Sequence, residues 1–312
     1  MNQKKSFDGG AQLVWDATSL DAFQSCPRKY YYSLLLGIKP KGLSVHLLFG
    51  GIYAACLEEF YKLIFAGASF DDAQRAVVRK AMIDSWDPKT NLPKPFEDAN
   101  KTRVNLIRTL VWYLEEFGVE DEDAAKTYRL KNGEPAVELS FKYPLSDHLI
   151  WAGHLDRVVT IGEYPYVMDQ KTTGTTISNY YFKGFDLSNQ MSGYTMAGRA
   201  ILETPVKGVI IDAAQVAVNF TRFERGFTLR TDAQLEEWVK GVNISTQYAQ
   251  HLSESAFNGE SWKEEVFPQN PTACGYYGGC PFKTLCSVDS RMRKNYIKSD
   301  YQSHHWDPAE AR

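Results

Sequence analysis

Apolar and polar positions alternate most clearly between residues 136 and 172. Val137, Leu139, Phe141 and Tyr143 alternate with Glu138, Ser140 and Lys142, the period of two of a half-buried strand over 136–143. Residues 149–159 predict the next strand. Ile150, Ala152, His154, Asp156 and Val158 share one of its faces and Trp151, Gly153, Leu155, Arg157 and Val159 the other, so Asp156 projects from a largely apolar row. A Gly and Pro turn at 162–165 leads to a third short strand, 166–172, on which Val167, Asp169 and Lys171 point the same way because alternate side chains do.

Helical spacing dominates elsewhere. Thr18-Ser19-Leu20-Asp21 offers an N-cap, and Leu20, Phe23, Cys26 and Tyr30 then recur at helical intervals, which puts Cys26 on a helix beside Arg28 and Lys29. After a turn at 39–42, Leu47-Leu48-Phe49-Gly50-Gly51 leads into a helix carrying Ala55, Leu57, Phe60, Tyr61 and Ile64. Ser69-Phe70-Asp71-Asp72 caps a helix to about Trp86, and the three prolines in 87–95 break it. A helix over 97–117 is expected to bury the stripe Val104, Ile107, Leu110, Val111 and Leu114, with Arg103 and Arg108 either lining a channel or simply exposed. The acidic run 120–123 predicts a solvated loop. Asp186-Leu187-Ser188-Asn189 caps a helix holding Gln190 and Tyr194 and ending near Pro205. Residues 209–220 predict a buried strand and 222–230 its partner, before a capping box at 231–234 opens a helix to about Leu252.

Length and composition set limits without naming a chemistry. With 312 residues and 44% hydrophobic content the chain can bury a full core, and its net charge of −3 gives no global basic signature. A polar start over 1–12 and no apolar run near about 18 residues predict a cytoplasmic chain without a signal peptide or membrane span. The odd count of five cysteines, without an export signal, favours metal ligation or burial over disulfides. Cys56 lies in an apolar helical pattern and is expected in the core. Cys26, Cys274, Cys280 and Cys286 are soft ligands that suit an iron–sulfur cluster or tetrahedral zinc, and the lack of paired Cys-x-x-Cys tilts toward iron and sulfur. The basic tail 291–298, with Tyr296 and Tyr301, fits nucleic-acid contact and a solvated terminus equally.

Asp169 and Lys171 place an acid and a cation side by side. Carboxylates hold Mg²⁺ or Mn²⁺ through hard oxygens, and such an ion activates water and neutralises a phosphate. Alone, Asp-x-Lys also fits an exposed ion pair. Its company is more specific: Gly153-His154-Leu155-Asp156-Arg157-Val158 precedes Asp169-Gln170-Lys171-Thr172-Thr173, and Gln190-Met191-Ser192-Gly193-Tyr194 follows at helical spacing. These motifs resemble the PD-(D/E)xK nuclease superfamily, in particular its RecB-like branch.

The resemblance implies an α/β, restriction-endonuclease-like core with a mixed central sheet flanked by helices. It also implies metal ligands at Asp156, Asp169 and the backbone carbonyl of Gln170, and a catalytic lysine at Lys171. Gln190 and Tyr194 would contact DNA or brace the site. The family's Gly-x-x-x-His entry reads Ala54 at the histidine position, leaving Glu58 one turn on as a substitute; His46 is too far upstream. His154 is expected to support a ligand, and His304 and His305 have no assigned role. Cys26-Pro27 upstream and Cys274, Cys280-Pro281 and Cys286 downstream look like the iron–sulfur staple of AddB-type and Cas-four-like exonucleases, which implies a 4Fe-4S cluster tying the chain ends. One nuclease domain is expected over 1–312, with a helical part (17–118), a catalytic core (136–252) and a cysteine segment (262–312). The implied function is metal-dependent DNA exonuclease action on single-stranded or end-opened DNA, in recombination, repair, phage replication or CRISPR adaptation. No helicase P-loop is present, so a motor would come from another chain. The alternative is a non-catalytic nucleic-acid-binding scaffold that keeps the fold.

Overall fold

The computed structural model describes residues 7–8, 11–42, 44–119, 125–257, 263–275 and 279–310. The acidic run at 120–123 lies outside them. In chain order the main elements are β1 (Val14–Trp15), α1 (Ala17–Ser25), α2 (Pro27–Tyr30), β2 (Ile38–Pro40), α3 (Val45–Phe65), α4 (Phe70–Asp84), α5 (Arg103–Phe117), β3 (Lys126–Thr127) and β4 (Val137–Ser146). There follow β5 (Leu149–Ile161), β6 (Tyr164–Thr173), α6 (Asn179–Lys183), α7 (Asn189–Leu202), β7 (Gly208–Val216), β8 (Thr221–Leu229), α8 (Asp232–Ala256), α9 (Lys283–Ser287), α10 (Arg293–Asp300) and β9 (Tyr301–Ser303). They form two compact units, one of Leu43–Leu139 with His154–Thr231 and one of Met1–Gly42, Ser140–Gly153 and Asp232–Arg312.

The first of these units is a mixed sheet between helices. β5 and β6 are antiparallel, β6 and β7 parallel, and β7 and β8 antiparallel, while β3 adds to β5. Every residue of β7 is buried, as expected of a central strand covered on both faces. Phe49, Tyr53, Phe60, Leu110 and Tyr113 of α3 and α5 share one apolar cluster with Ala214 and Val216 of β7. On β6, Val167 meets α7 at Gly198, where a Cβ would come within 2.9 Å of the valine methyl.

Charge is also buried in this unit. Asp212, 2% exposed, accepts hydrogen bonds from the Tyr113 hydroxyl and from Arg225 Nε at 3.0 Å, and the Arg225 guanidinium lies 3.8 Å from the Phe117 ring centre. Arg157 donates to Ala125 O (2.8 Å) and Thr127 Oγ1 (3.0 Å), with its guanidinium 3.4 Å from the Tyr61 ring centre.

The bounds expected for α5 and β7 are corrected. α5 starts at Arg103, capped by Thr102, and buries Leu106, Leu110, Tyr113 and Leu114 while Val104 is 74% exposed. Of the expected stripe Leu110 and Leu114 are buried and Ile107 packs against the same cluster, and the buried face also takes in Asn105 and Thr109, polar by type, with their hydrogen bonds made to Asn100 O (2.7 Å) and Asn105 O (2.6 Å). Arg103 donates to Ser85 Oγ and Met82 O, and Arg108 to the carbonyls of Ala217, Val218 and Phe220. The strand expected to reach 220 ends at Val216, where the β7–β8 turn begins.

In the other unit β1 runs parallel to the start of β5, pairing Val14 with Ile150 and Trp15 with Trp151. Trp15 stacks on Tyr30, whose hydroxyl donates to Gln12 (2.9 Å). Early and late segments are stitched together directly: β2 pairs with β9, Trp306 Nε1 donates to Asp16 (2.9 Å), and Arg28 Nε donates to Phe267 O (2.8 Å). α1 starts at a capping box of Asp16 and Ser19 rather than at Thr18 or Ser19. It ends at Ser25, so Cys26 is not helical but extended (φ −166°, ψ 114°). Pro27 explains this, since its ring pushes the preceding residue out of the helical region and itself suits the first position of the next helix. No helix among the described residues is long and apolar enough to cross a membrane.

Candidate active site

The antiparallel register of β5 and β6 runs from Tyr164↔Ile161 to Met168↔Arg157, so the next facing positions are Asp169 and Asp156. Two like charges in that relation repel, and the regular ladder gives way to a side-chain bond. Gln170 N–H donates to Asp156 Oδ2 at 2.9 Å. In an extended strand the N–H and C=O of one residue leave from the same edge, so the Gln170 carbonyl is directed to the Asp156 side.

From the carboxylates a continuous polar chain runs to α7. Lys171 Nζ lies 2.6 Å from Asp169 Oδ2 and donates to Gln190 Oε1 at 3.2 Å, and Gln190 Nε2 donates to the Tyr194 hydroxyl at 3.0 Å. The i, i+4 spacing on α7 keeps Gln190 and Tyr194 on one helix face. Asp169 is 1% exposed, whereas the Lys171 side chain is 29% exposed. All five expected catalytic side chains thus meet in one place.

Burial sets the electrostatics. Asp156 is pushed up to about 7 by burial first and by the Asp169 charge next, against the pull of Lys171 and the Gln170 N–H. Asp169 is also raised, by burial against the charge of Lys171. For Lys171 burial works downward, but the two carboxylates outweigh it and hold the ammonium charged. Glu138 adds to the upward pressure on Asp156. It stands in the left-handed region (φ 51°), an uncommon conformation for a residue other than glycine.

The donor set fits a divalent cation. Two mutually repelling carboxylates beside a backbone carbonyl supply hard oxygens, and Mg²⁺ is commonly held by one or two carboxylates with waters and substrate phosphate completing its shell. Among the described residues no group of three His, Cys, Asp or Glu side chains is placed to hold an ion. A pH dependence follows. Because Asp156 is raised from 3.8 to about 7, its proton stabilises the fold fully below the lower value, and that contribution is lost as pH rises through the upper one. A cation bound at the two carboxylates would take the proton's place. Added Mn²⁺ should therefore raise the melting temperature more at about pH 8 than at about pH 5.5, as read by differential scanning fluorimetry; equal shifts at both would contradict this.

Neighbouring candidates contribute less. Ala54 lies within α3, and Glu58 is ion-paired with Lys62 at 2.5 Å. His154 is half-buried on β5. Asp212 and Glu138 carry no motif, although a lone acid in the apolar run 208–216 is itself a sign of a buried partner.

In the other unit Cys26, Cys274, Cys280 and Cys286 all line one pocket of about 750 Å³, together with Lys29 and Lys283. Asn270 N–H points at Cys26 Sγ (3.3 Å), and Cys280 N–H donates to Cys274 O (3.0 Å). Burial pushes the Cys286 thiol up, with the charges of Cys26 and Cys280 acting the same way. Cys56 is fully buried near Val77 O and pushed up to about 12 by burial, as a core thiol should be.

Comparison with known proteins bears on the family. A profile of the PD-(D/E)XK nuclease superfamily matches residues 15–287. No curated protein matches the chain. Among solved structures, one described as a "Putative exonuclease" from Eubacterium rectale is 12% identical, covers 83% of this chain and 88% of its own, and superposes with a TM-score of 0.46. Another, SSO0001, is 11% identical, covers 88% of this chain and 86% of its own, and superposes with a TM-score of 0.32. The profile match spans most of the sequence, including the strands and helix that carry Asp156, Asp169, Lys171, Gln190 and Tyr194. The chain belongs to the PD-(D/E)XK nuclease superfamily.

Proposed function

We propose that this chain is a metal-dependent deoxyribonuclease that degrades DNA from strand ends. The observation that carries the reading is the polar chain from the buried Asp169 through Lys171 to Gln190 and Tyr194, beside Asp156 on the facing strand. Asp156, Asp169 and the Gln170 carbonyl would hold Mg²⁺ or Mn²⁺, which supplies an activated water and offsets charge on the scissile phosphate. Lys171, kept cationic by the two carboxylates, faces the developing negative charge of the phosphate. Gln190 accepts from the ammonium and fixes where it points, while Tyr194 fixes Gln190. These residues act together on a phosphodiester, with DNA as partner and any unwinding motor on another chain, in recombination, repair, phage replication or CRISPR adaptation.

End-labelled single-stranded DNA tests this in linear and circular form, with Mg²⁺, Mn²⁺ or chelator. Degradation of the linear form alone, lost in chelator, is expected. Cleavage of circles would make the enzyme an endonuclease, and no cleavage under any condition would favour the non-catalytic scaffold.

The cysteine quartet supports a 4Fe-4S cluster at the pocket. In such a cluster each thiolate takes its own iron, so the four sulfurs must surround the group rather than converge on one ion, and backbone N–H groups aimed at sulfur are the usual support. That all four line one pocket of about 750 Å³, with Asn270 N–H on Cys26, supports this reading. Anaerobically prepared protein should be brown, with iron and acid-labile sulfide in equal amounts, and Cys26→Ala should lose both. A colourless protein holding one zinc would replace this assignment.

A further inference from the structure

Between β6, which carries Asp169 and Lys171, and α7, which carries Gln190, the chain makes an aromatic excursion through Tyr180, Tyr181, Phe182 and Phe185. It leaves from the end of the sheet where the candidate site lies: Ile177 is buried, and its N–H donates to Gln215 Oε1 (3.1 Å), the β7 residue paired with Thr173.

The segment is anchored. Phe182 lies on β8 at Gly226, where a Cβ would come within 2.1 Å of the ring, so only glycine leaves room. The Phe185 carbonyl accepts from Arg230 Nη2 (2.9 Å), a buried guanidinium that also donates to Ser192 Oγ (3.1 Å) on α7. Tyr181 packs between Phe182 and Phe185, each ring centre 5.4 Å away. Burial first, and the charge of Asp169 next, push its hydroxyl up to about 12. One position away around the helix, Tyr180 is 87% exposed, and Leu187 at the far end of the excursion is 93% exposed. A platform fixed at the end of the sheet that follows Asp169 and Lys171 on β6 thus presents an aromatic ring to solvent.

We infer that Tyr180 is the base-stacking residue of the substrate path, receiving an unpaired nucleobase of the strand whose phosphodiester enters the site of Asp156, Asp169 and Lys171. This rests on the nuclease reading above. Every nucleobase has a π face, so such a contact is tolerant of sequence, as end-directed degradation requires. Bases inside a duplex have both faces covered by their neighbours, so the contact favours an unpaired strand. Lys183, exposed on the same short helix, adds a cation near the backbone.

The test is binding in chelator, read by fluorescence anisotropy with a labelled oligothymidylate, an abasic strand of equal length and a blunt duplex. Tyr180→Ala should weaken oligothymidylate binding about tenfold and leave the abasic strand and the duplex unchanged. Tyr180→Trp should restore it. Equal affinity of Tyr180→Ala and wild type for oligothymidylate, or an equal loss on the abasic strand, would overturn the inference while leaving the nuclease reading standing. Wild-type protein that neither binds nor cleaves DNA would overturn both.

Discussion

Replacing Lys171 with alanine should lower DNA hydrolysis by about 10²–10³-fold while leaving DNA affinity in chelator within a few-fold of wild type. The ammonium lies 2.6 Å from Asp169 and 3.2 Å from Gln190, so it is aimed by groups on both sides rather than free to wander. A charge held in place before reaction stabilises a developing anion without further reorganisation, and its loss falls on the chemical step. Single-turnover rates with Mn²⁺ are the measurement. Full activity in Lys171→Ala would move the catalytic cation elsewhere. Gln190→Ala should cost less, because it aims the ammonium and does not supply it.

The second large effect is on stability, away from the reacting atoms. Asp212→Ala should destabilise the protein by about 3–5 kcal/mol, the cost of breaking a buried ion pair on one side only. The substitution strips the carboxylate from Arg225, whose side chain is 19% exposed, and removes the acceptor of the Tyr113 hydroxyl. Both groups lie against the apolar cluster of α3 and α5, and Arg225 stays on the Phe117 ring with nothing to offset its charge. Asp212→Asn keeps one acceptor oxygen, for Arg225 Nε, and presents an amide N–H that the Tyr113 hydroxyl can accept, so it should lose less. Urea unfolding followed by circular dichroism distinguishes the two; an alanine variant with the wild-type midpoint would show that the pair is solvated.

The parts of the site that were legible in the sequence share a feature: they depend on short-range periodicity. Asp169 and Lys171 are two apart on a strand and Gln190 and Tyr194 four apart on a helix, so each pair faces one way whatever surrounds it. That Asp156 faces Asp169 then required only the right hairpin register. The illegible parts depend on partners distant in sequence or on backbone conformation. Asp212 meets Tyr113, 99 residues upstream, and no local pattern announces that. Glu138 leaves the regular alternation with a φ of 51°, which counting by twos misses. Asn105 and Thr109 are polar yet face inward, so the buried face of α5 is wider than the apolar stripe that holds Leu110 and Leu114. Cys26 was expected on a helix from spacing alone, whereas the proline after it decides its conformation.

The most direct test of the account is Mn²⁺-dependent degradation of end-labelled linear single-stranded DNA by Asp169→Asn beside wild type, with thermal stability measured on the same preparations. The account predicts that the variant folds, is inactive, and loses the stabilisation that Mn²⁺ gives the wild type near pH 8, since the buried carboxylate at the centre of the site is gone. Wild-type-like cleavage by Asp169→Asn would contradict it and place the chemistry somewhere other than the facing ends of β5 and β6.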